Sequence, residues 1–280
     1  MRATARASCF LLTSVLALFF FLLITPSGDV SAVEPKDARE LLERSLKEMQ
    51  RQDSLLAGCR YMKTVVVEQL DEDLKPGKSE VRLVEVTSVP RAPDTEILIA
   101  VDGKPISQKE KEKEETRQKQ RKSGKSARFQ VAAEDLLTMF DWSFAGNETL
   151  NGRPCTALSF KPKPGAAYTG KDPGAEKFMR CLCGTVFIDN AEYAVARIEF
   201  RSTSPVKSLG GLLWTVHSFA VSEERKRLPP GFWIDAKGEY FVEATAVIFK
   251  KIRQRLTMHT HDYAPCCFAP GEQKDTRPSE

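Results

Sequence analysis

Two pairs of residues that can bind metals lie in the second half of the chain. Cys181 and Cys183 are separated by one residue, and so are His259 and His261. In an extended chain, side chains two residues apart point to the same side. Thiolates and imidazoles are ligands that zinc and copper accept. The spacings match none of the standard zinc motifs, so a metal site is the weaker of two interpretations.

The favoured interpretation of the cysteines is a set of disulfides. Removal of an N-terminal leader would take Cys9 away and leave an even number, as is usual in exported proteins. Cys181 or Cys183 would then bridge to Cys266 or Cys267 and join the entry of a central strand to the C-terminal tail. The sequence does not select the pairing. The disulfide candidates are Cys59, Cys155, Cys181, Cys183, Cys266 and Cys267.

Nucleophilic and carboxylate chemistry are both poorly supported. No G-x-S-x-G motif is present, and His217, His259 and His261 do not lie in predicted loops beside a serine or cysteine. The carboxylates that qualify by type are Asp141, Asp189, Glu192, Asp235 and Glu239. Asp189 and Asp235 lie at predicted turns, where Asp forms local hydrogen bonds. We therefore predict no catalytic residues, no metal and no cofactor.

The N-terminus has the three parts of a secretory signal peptide. Arg2 and Arg6 precede an apolar run, 10–24, and the small residues 30–32 follow it. The run is shorter than the roughly 20 residues that span a bilayer as a helix. We predict a signal peptide, 1–32, that is removed on export to the periplasm. The alternative is an uncleaved N-terminal membrane anchor.

The charge of the remaining 248 residues is concentrated in one segment. Loss of Arg2, Arg6 and Asp29 lowers the net charge from +4 to +3, which gives little reason to expect nucleic acid as a partner. Residues 104–128 hold ten Lys or Arg against four Glu. Ser107 followed by Glu110 is a capping box and predicts a helix start. A solvated insertion is favoured, and the alternative is a basic surface for anionic lipid or a partner.

The hydrophobic periodicity predicts two helices and about ten strands. Residues 35–57 have apolar positions at helical spacing, and residues 131–140 read as a short helix. Val-, Ile- and Thr-rich segments separated by Pro, Gly and Asp predict antiparallel strands. The predicted strands are 60–70, 80–89, 95–101, 142–149, 155–161, 184–189, 193–202, 212–222, 238–249 and 251–262.

Alternation along the strands indicates a sheet with one covered face and one wet face. The apolar row of residues 193–202 is Ala194, Ala196, Ile198 and Phe200. On the last strand His259 and His261 share the wet side with Lys251. About ten such strands favour a mainly β (α+β) fold, a strongly curved antiparallel sheet that forms an open half-barrel. The two helices would cover its concave face.

Large apolar side chains on or beside the strands are candidates for the lining of an apolar cavity. Phe241 and Phe249 lie opposite the main apolar row of their strand, which is therefore apolar on both faces in places. The cavity candidates are Phe187, Ile198, Phe200, Trp214, Phe219, Trp233, Phe241 and Ile248.

Three segments resemble bacterial outer-membrane lipoprotein-sorting proteins of the LolA-like superfamily. They read NGRPCTALSFKPKP, CGTVFIDNAEYAVARIEF and FWIDAKGEYFVEATAVIFKKIRQRLTMHTHDY. The shared features are a strand ending in Ile-Asp, a tight turn, an alternating strand and a last hairpin before Asp-Tyr. The resemblance covers roughly residues 35–263. It implies an exported half-barrel that holds lipid or acyl chains in an apolar cavity without catalysis.

The resulting expectation is a single half-barrel domain, 33–265, with an insertion at 104–128 and a tail at 266–280. It would be a monomer that binds lipid or lipoprotein acyl chains, with helix 35–57 or 131–140 as a lid. Its role would be sorting or transport of lipoproteins across the periplasm. The alternative is a sensor that binds a cell-envelope protein through segment 104–128.

Overall fold

The fold is mainly β, with three helices among the residues that the structure describes. The computed structural model describes residues 37–89, 94–108, 110–112, 114, 116, 133–170, 173–208, 214–229, 231–246 and 250–264. The helices are α1 (Ala38–Leu55), α2 (Ala133–Met139) and α3 (Pro173–Met179). The predicted signal peptide, Ile248 and the tail 266–280 lie outside the described residues.

Twelve strands form one antiparallel sheet. They are β1 (Arg60–Leu70), β2 (Pro76–Thr87), β3 (Thr95–Val101), β4 (Lys104–Pro105), β5 (Phe140–Leu150), β6 (Arg153–Pro162), β7 (Leu182–Asp189), β8 (Val195–Ser202), β9 (Val206–Ser208), β10 (Trp214–Leu228), β11 (Phe232–Ala246) and β12 (Lys250–His261). The spatial order is β4-β3-β2-β1-β12-β11-β10-β8-β7-β6-β5, and β9 pairs with β10. Among the described strands β4 and β5 do not pair with each other, so the sheet is open.

One face of this sheet encloses the main core. Side chains from β1, β5–β8 and β10–β12 belong to a single apolar cluster with all three helices. So many neighbouring strands reach one core because the sheet curves around it. The predicted open half-barrel with helices on its concave face is confirmed.

Helix α1 begins and packs as the sequence predicts. Asp37 caps its N-terminus by accepting a hydrogen bond from the Glu40 amide at 2.7 Å. Ion pairs one turn apart, such as Arg39–Glu43, occupy the outer side. The buried stripe consists of Ala38, Leu41, Leu42, Ser45, Leu46 and Gln52.

A bulge changes which residues of β8 face the core. The β7–β8 register shifts between Phe187 and Ile188, so Phe187 pairs with Arg197 while Ile188 pairs with Val195. Val195, Ile198 and Phe200 belong to the main core, whereas Ala194 and Ala196 belong to a second cluster. The predicted row of Ala194, Ala196, Ile198 and Phe200 is therefore wrong, because one extra residue reverses strand parity.

The hairpin of β10 and β11 is much longer than the sequence indicated. Arg225 pairs with Asp235 across the two strands, and Gly238 lies inside β11 opposite Glu223. The prediction of a turn at Asp235 is therefore wrong, and the chain reverses near Gly231 instead. Arg225 and Asp235 form an ion pair across the two strands, so charged side chains can occupy the concave face at this end of the hairpin.

Two smaller outcomes concern the predicted capping box of the insertion and the short elements that the sequence did not predict. The capping box is formed, since the Glu110 carboxylate accepts from the Ser107 amide at 3.1 Å and the Ser107 hydroxyl accepts from the Glu110 amide at 3.3 Å. Most of segment 104–128 beyond it lies outside the described residues. The sequence did not predict α3, β4 or β9, all of which are short.

Candidate functional site

An apolar cavity lies beneath α1, between this helix and the sheet. Its volume is about 50 Å³. Helices α1 and α2 and strands β5, β7, β8 and β10 contribute to its wall. The lining residues are Leu42, Ser45, Leu46, Met49, Leu136, Trp142, Val186, Val195, Ile198, Glu223 and Arg225. Eight of these eleven side chains are hydrocarbon or thioether or aromatic, so the cavity can accept an apolar group.

Few polar contacts tie α1 to the sheet side of this cavity. Near its C-terminal end, the Gln52 carboxamide accepts from the Trp233 amide at 3.0 Å and donates to the Gly231 carbonyl at 3.3 Å. In its first half, the Arg44 guanidinium donates to the Tyr193 hydroxyl at 3.1 Å. The other buried residues of α1 are mostly apolar, namely Ala38, Leu41, Leu42 and Leu46, so burial of apolar surface contributes strongly to holding the helix.

Glu223 is a buried carboxyl on the cavity wall. The Tyr240 hydroxyl donates to its Oε1 at 2.5 Å. Burial raises the pKa of Glu223 to about 7, and the nearby Asp235 carboxylate acts in the same direction. Burial and the Glu223 carboxyl also raise the pKa of Tyr240 well above its usual value. Glu223 therefore carries a proton in a substantial fraction of molecules at neutral pH.

Charged neighbours of Glu223 are paired with one another. Arg225 Nε lies 3.2 Å from Asp235 Oδ1, and Arg225 Nη2 donates to the Trp233 carbonyl at 2.8 Å. Lys63 of β1 pairs with Glu96 of β3 at 2.9 Å. Burial alone would lower the pKa of Lys63, but the neighbouring carboxylates, with Glu96 first among them, raise it.

The predicted cavity residues are distributed over three surroundings. Ile198 lines the cavity itself. Phe200 and Phe219 belong to the same core, and Trp214 packs on it with its ring 6.1 Å from that of Phe178. Phe241 is half-buried and has the opposite parity to Tyr240 and Val242 in β11. Its position argues against the cavity role that the sequence suggested for it.

Phe187 and Trp233 lie in the second apolar cluster, apart from the main core. This cluster consists of Leu150, Cys155, Ala157, Phe187, Ala194, Ala196 and Trp233. The Arg197 guanidinium lies 4.0 Å from the centre of the Phe187 ring, and that of Arg153 lies 5.5 Å from the Trp233 ring. Neither of these two aromatic residues is among the described residues that line the cavity.

Asp189 fixes the turn that follows β7, as predicted. Its carboxylate accepts from Arg153 at 2.7 and 2.9 Å and from the amides of Ala191 and Glu192. Asp189 is fully buried, so this bidentate pair replaces the water that it loses. Its role is structural.

The cysteines correct the favoured disulfide interpretation. Cys155, Cys181 and Cys183 are free thiols, and Cys59 is disulfide-bonded. Cys181 lies in the turn after α3 and donates to the Phe178 carbonyl at 3.1 Å. Burial, with a smaller effect of Cys183, raises its pKa to about 11. The prediction that Cys181 or Cys183 bridges to the tail is wrong because the Cys181 side chain packs into the core.

The structure also separates the residues of the metal alternative. His259 and His261 lie on β12, and β11, β10 and β8 separate this strand from β7 with Cys183. Neighbouring strands are about 4.8 Å apart, so these groups cannot share one ion. No group of three or more potential metal ligands is found in the described part of the chain. His261 instead contacts Thr64 at 2.9 Å.

Sequence reasoning missed Glu223 and Arg225. Both follow Phe219 and Val221 at two-residue spacing and so continue the inward row of β10. The predicted strand stopped at residue 222 because the next residues are charged. Continuing the two-residue alternation past residue 222 would have placed the carboxyl of Glu223 and the guanidinium of Arg225 on the concave face.

No protein-family model and no curated protein matches the sequence. Solved structures that match include an outer membrane lipoprotein-sorting protein domain from Vibrio parahaemolyticus, at 17% identity over 80% of this chain and 92% of that one, with a TM-score of 0.31. A LolA superfamily protein from Nitrosomonas europaea matches at 10% identity over 82% and 93%, with a TM-score of 0.32. LprF from Mycobacterium bovis matches at 12% identity over 81% and 92%, with a TM-score of 0.22. Only the Nitrosomonas protein is named as a member of the superfamily that the sequence resembles, and at these TM-scores we draw no conclusion about function from these structures.

Proposed function

We propose that the chain is an exported, non-catalytic carrier that binds an acyl chain of a lipid or lipoprotein between α1 and the concave face of the sheet. The observation that carries the proposal is the cavity beneath α1, whose wall is apolar except for Ser45, Glu223 and Arg225. The LolA-like sequence segments and the predicted signal peptide agree with it. No helix in the described ranges is long and apolar enough to cross a membrane.

The size of the cavity shows what binding would require. Ligand pockets are usually about 300–1,000 Å³, whereas this cavity measures about 50 Å³. An acyl chain would therefore enter by displacing α1 from the sheet. Each buried methylene contributes about 0.8 kcal/mol, so a chain of about 14 methylenes supplies roughly 11 kcal/mol before the costs of association. Micromolar affinity corresponds to about 8 kcal/mol, which leaves a small margin for moving the helix.

A cavity-filling substitution tests the proposal. Ile198→Trp should fill the cavity and weaken binding of a fluorescent acyl probe at least about tenfold, because the ring occupies the space that the chain needs. The matched control is Ile97→Trp, the same change at a side chain of β3 that is 45% exposed. We would also extract the detergent-free full chain and search for acyl species by mass spectrometry. An empty protein that does not bind the probe would contradict the proposal.

A further inference from the structure

The apolar cavity has polar groups with unused hydrogen-bonding capacity on opposite walls. Ser45 of α1 is fully buried, and its Oγ has no hydrogen-bond partner among the residues that the structure describes. Glu223 of β10 is 7% exposed and uses Oε1 to accept from Tyr240. Among the described residues, no hydrogen bond to Glu223 Oε2 is present. A buried hydroxyl without a partner costs free energy, so a ligand that supplies one gains affinity.

Both groups can act as donors at neutral pH. The Ser45 hydroxyl can rotate toward an acceptor in the cavity. Glu223 holds a proton in a substantial fraction of molecules because burial opposes its ionisation. A protonated carboxyl that accepts from Tyr240 through one oxygen can donate through the other. Two donors on opposite sides of a narrow apolar space suit a single carbonyl oxygen.

The third polar group of the wall does not provide a free positive charge. The charge of Arg225 is neutralised by Asp235, whose Oδ1 lies 3.2 Å from Arg225 Nε without forming a hydrogen bond, and Arg225 Nη2 already donates to the Trp233 carbonyl. A carboxylate in this cavity would lose its water without gaining an unpaired cation, which is strongly unfavourable. An uncharged acceptor has no such cost.

We propose that the cavity selects acyl chains that end in an uncharged ester or amide carbonyl, which Ser45 and Glu223 bind, and that it rejects free fatty-acid carboxylates. This inference rests on the proposed acyl-chain carrier function and adds the chemical class of its ligand. The same carbonyl occurs in a glycerolipid and in an acylated protein N-terminus.

The test is displacement of a fluorescent acyl probe from the delipidated full chain at pH 6, at which Glu223 is mostly protonated. Methyl hexadecanoate should displace the probe at concentrations at least about tenfold lower than hexadecanoate, because one charge is not desolvated. Equal displacement by both would overturn the inference and leave the carrier function standing. Failure of the probe to bind at all would instead contradict the carrier function itself.

Substitutions assign the selectivity to the two residues. Ser45→Ala should weaken displacement by the ester about fivefold, as expected for one lost hydrogen bond. Glu223→Leu should do the same, whereas Glu223→Gln should retain ester binding because the carboxamide still donates. If the ester displaces the probe from Ser45→Ala and from Glu223→Leu as readily as from the unmodified chain, the assignment to these two residues is wrong.

A last comparison identifies the source of the carbonyl. A diacylglycerol and a peptide with an acylated, diacylglyceryl-modified N-terminal cysteine would compete for the same probe. Stronger displacement by either one supports the inference and names the source. Displacement by neither, while hexadecanoate competes, would overturn it.

Discussion

At the scale of the residue, Glu223 connects stability with pH. Its carboxyl faces an apolar cavity, and its pKa is about 7 in the folded chain against 4.5 for an exposed glutamate. The charged groups around it are Arg225 on its own strand, Asp235 and the Tyr240 hydroxyl on β11, and Lys63 on β1. Burial favours the protonated form of this carboxyl over the carboxylate, although Arg225 and Lys63 act in the opposite direction.

The first prediction follows from this raised pKa. Between pH 4.5 and 7 the folded chain retains a proton that the unfolded chain releases, so raising the pH favours unfolding. The contribution of Glu223 to the free energy of unfolding should fall by roughly 3 kcal/mol across this range and stay constant above it. Urea unfolding of the unmodified chain and of Glu223→Gln at pH 5 and 7.5 would measure the difference. Identical pH dependence of the two proteins would refute it.

The cysteines give a second prediction at this scale. The Ala264 amide donates to the Arg60 carbonyl at 2.8 Å, so Ala264 lies beside the residue that follows Cys59. Cys266 is two residues further along the sequence. Two residues span at most about 7 Å, and disulfides join Cα atoms about 4.4–6.8 Å apart. We expect a non-reducing peptide map to join Cys59 to the peptide that contains Cys266 and Cys267.

The free thiols provide the control for that map. Cys155 and Cys181 are buried, whereas Cys183 is partly exposed. A thiol reagent should therefore modify Cys183 first and reach the other two only after unfolding. A bridge that involves Cys181 would contradict both the structure and this expectation.

At the scale of the element, α1 packs on the sheet mainly through apolar side chains. Its buried stripe also contains Ser45 and Gln52, and Gln52 provides its hydrogen bonds to the start of β11. The sheet beneath it is continuous through β12, β11, β10 and β8. Opening of α1 would therefore leave the ladder of the sheet intact.

The third prediction concerns this attachment. Gln52→Ala removes the partner of the Trp233 amide and should destabilise α1 locally by about 1–3 kcal/mol. Hydrogen exchange of the α1 amides should become faster, and the acyl probe should associate faster if α1 must lift for binding. Gln50→Ala makes the same change two residues away, at a half-buried side chain, and should affect neither rate. Unchanged exchange in the Gln52 variant would show that apolar burial alone holds the helix.

At the scale of the whole molecule, one sheet encloses the core and the basic segment 104–128 begins at one edge of it. The segment starts with β4, the edge strand, and the capped turn at Ser107 to Glu110 is exposed. None of the described residues that line the cavity belongs to segment 104–128. Binding in the cavity and recognition through the insertion are therefore separable properties.

The fourth prediction uses this separation. Replacing residues 109–130 with a short Gly-Ser linker should change the free energy of unfolding by less than about 1 kcal/mol, because loop length affects stability only weakly. Probe binding should be unchanged in a carrier. If the deletion abolishes binding of a cell-envelope protein while the acyl probe still binds, the insertion is a partner site. Loss of acyl binding would show that the insertion belongs to the ligand site.

The sequence by itself determined the element types and the fold class. Helix α1, the capping box at Ser107 and the alternation of β12 depend on contacts within a few residues, and this local signal needs no knowledge of neighbours. The turn after Asp189 was predictable for the same reason. An exposed and a covered sheet face follow from two-residue periodicity alone.

Only the tertiary structure decided which residues form the site. The bulge beside Phe187 reverses the parity of β8, and the pairing of Arg225 with Asp235 extends a hairpin through charged residues. The Cys181 side chain, which follows α3, packs in the main core as a free thiol. These outcomes depend on register and on strands far apart in sequence, and a one-residue shift moves a side chain to the other face. The place of Glu223 in the cavity wall is therefore a property of the assembled sheet.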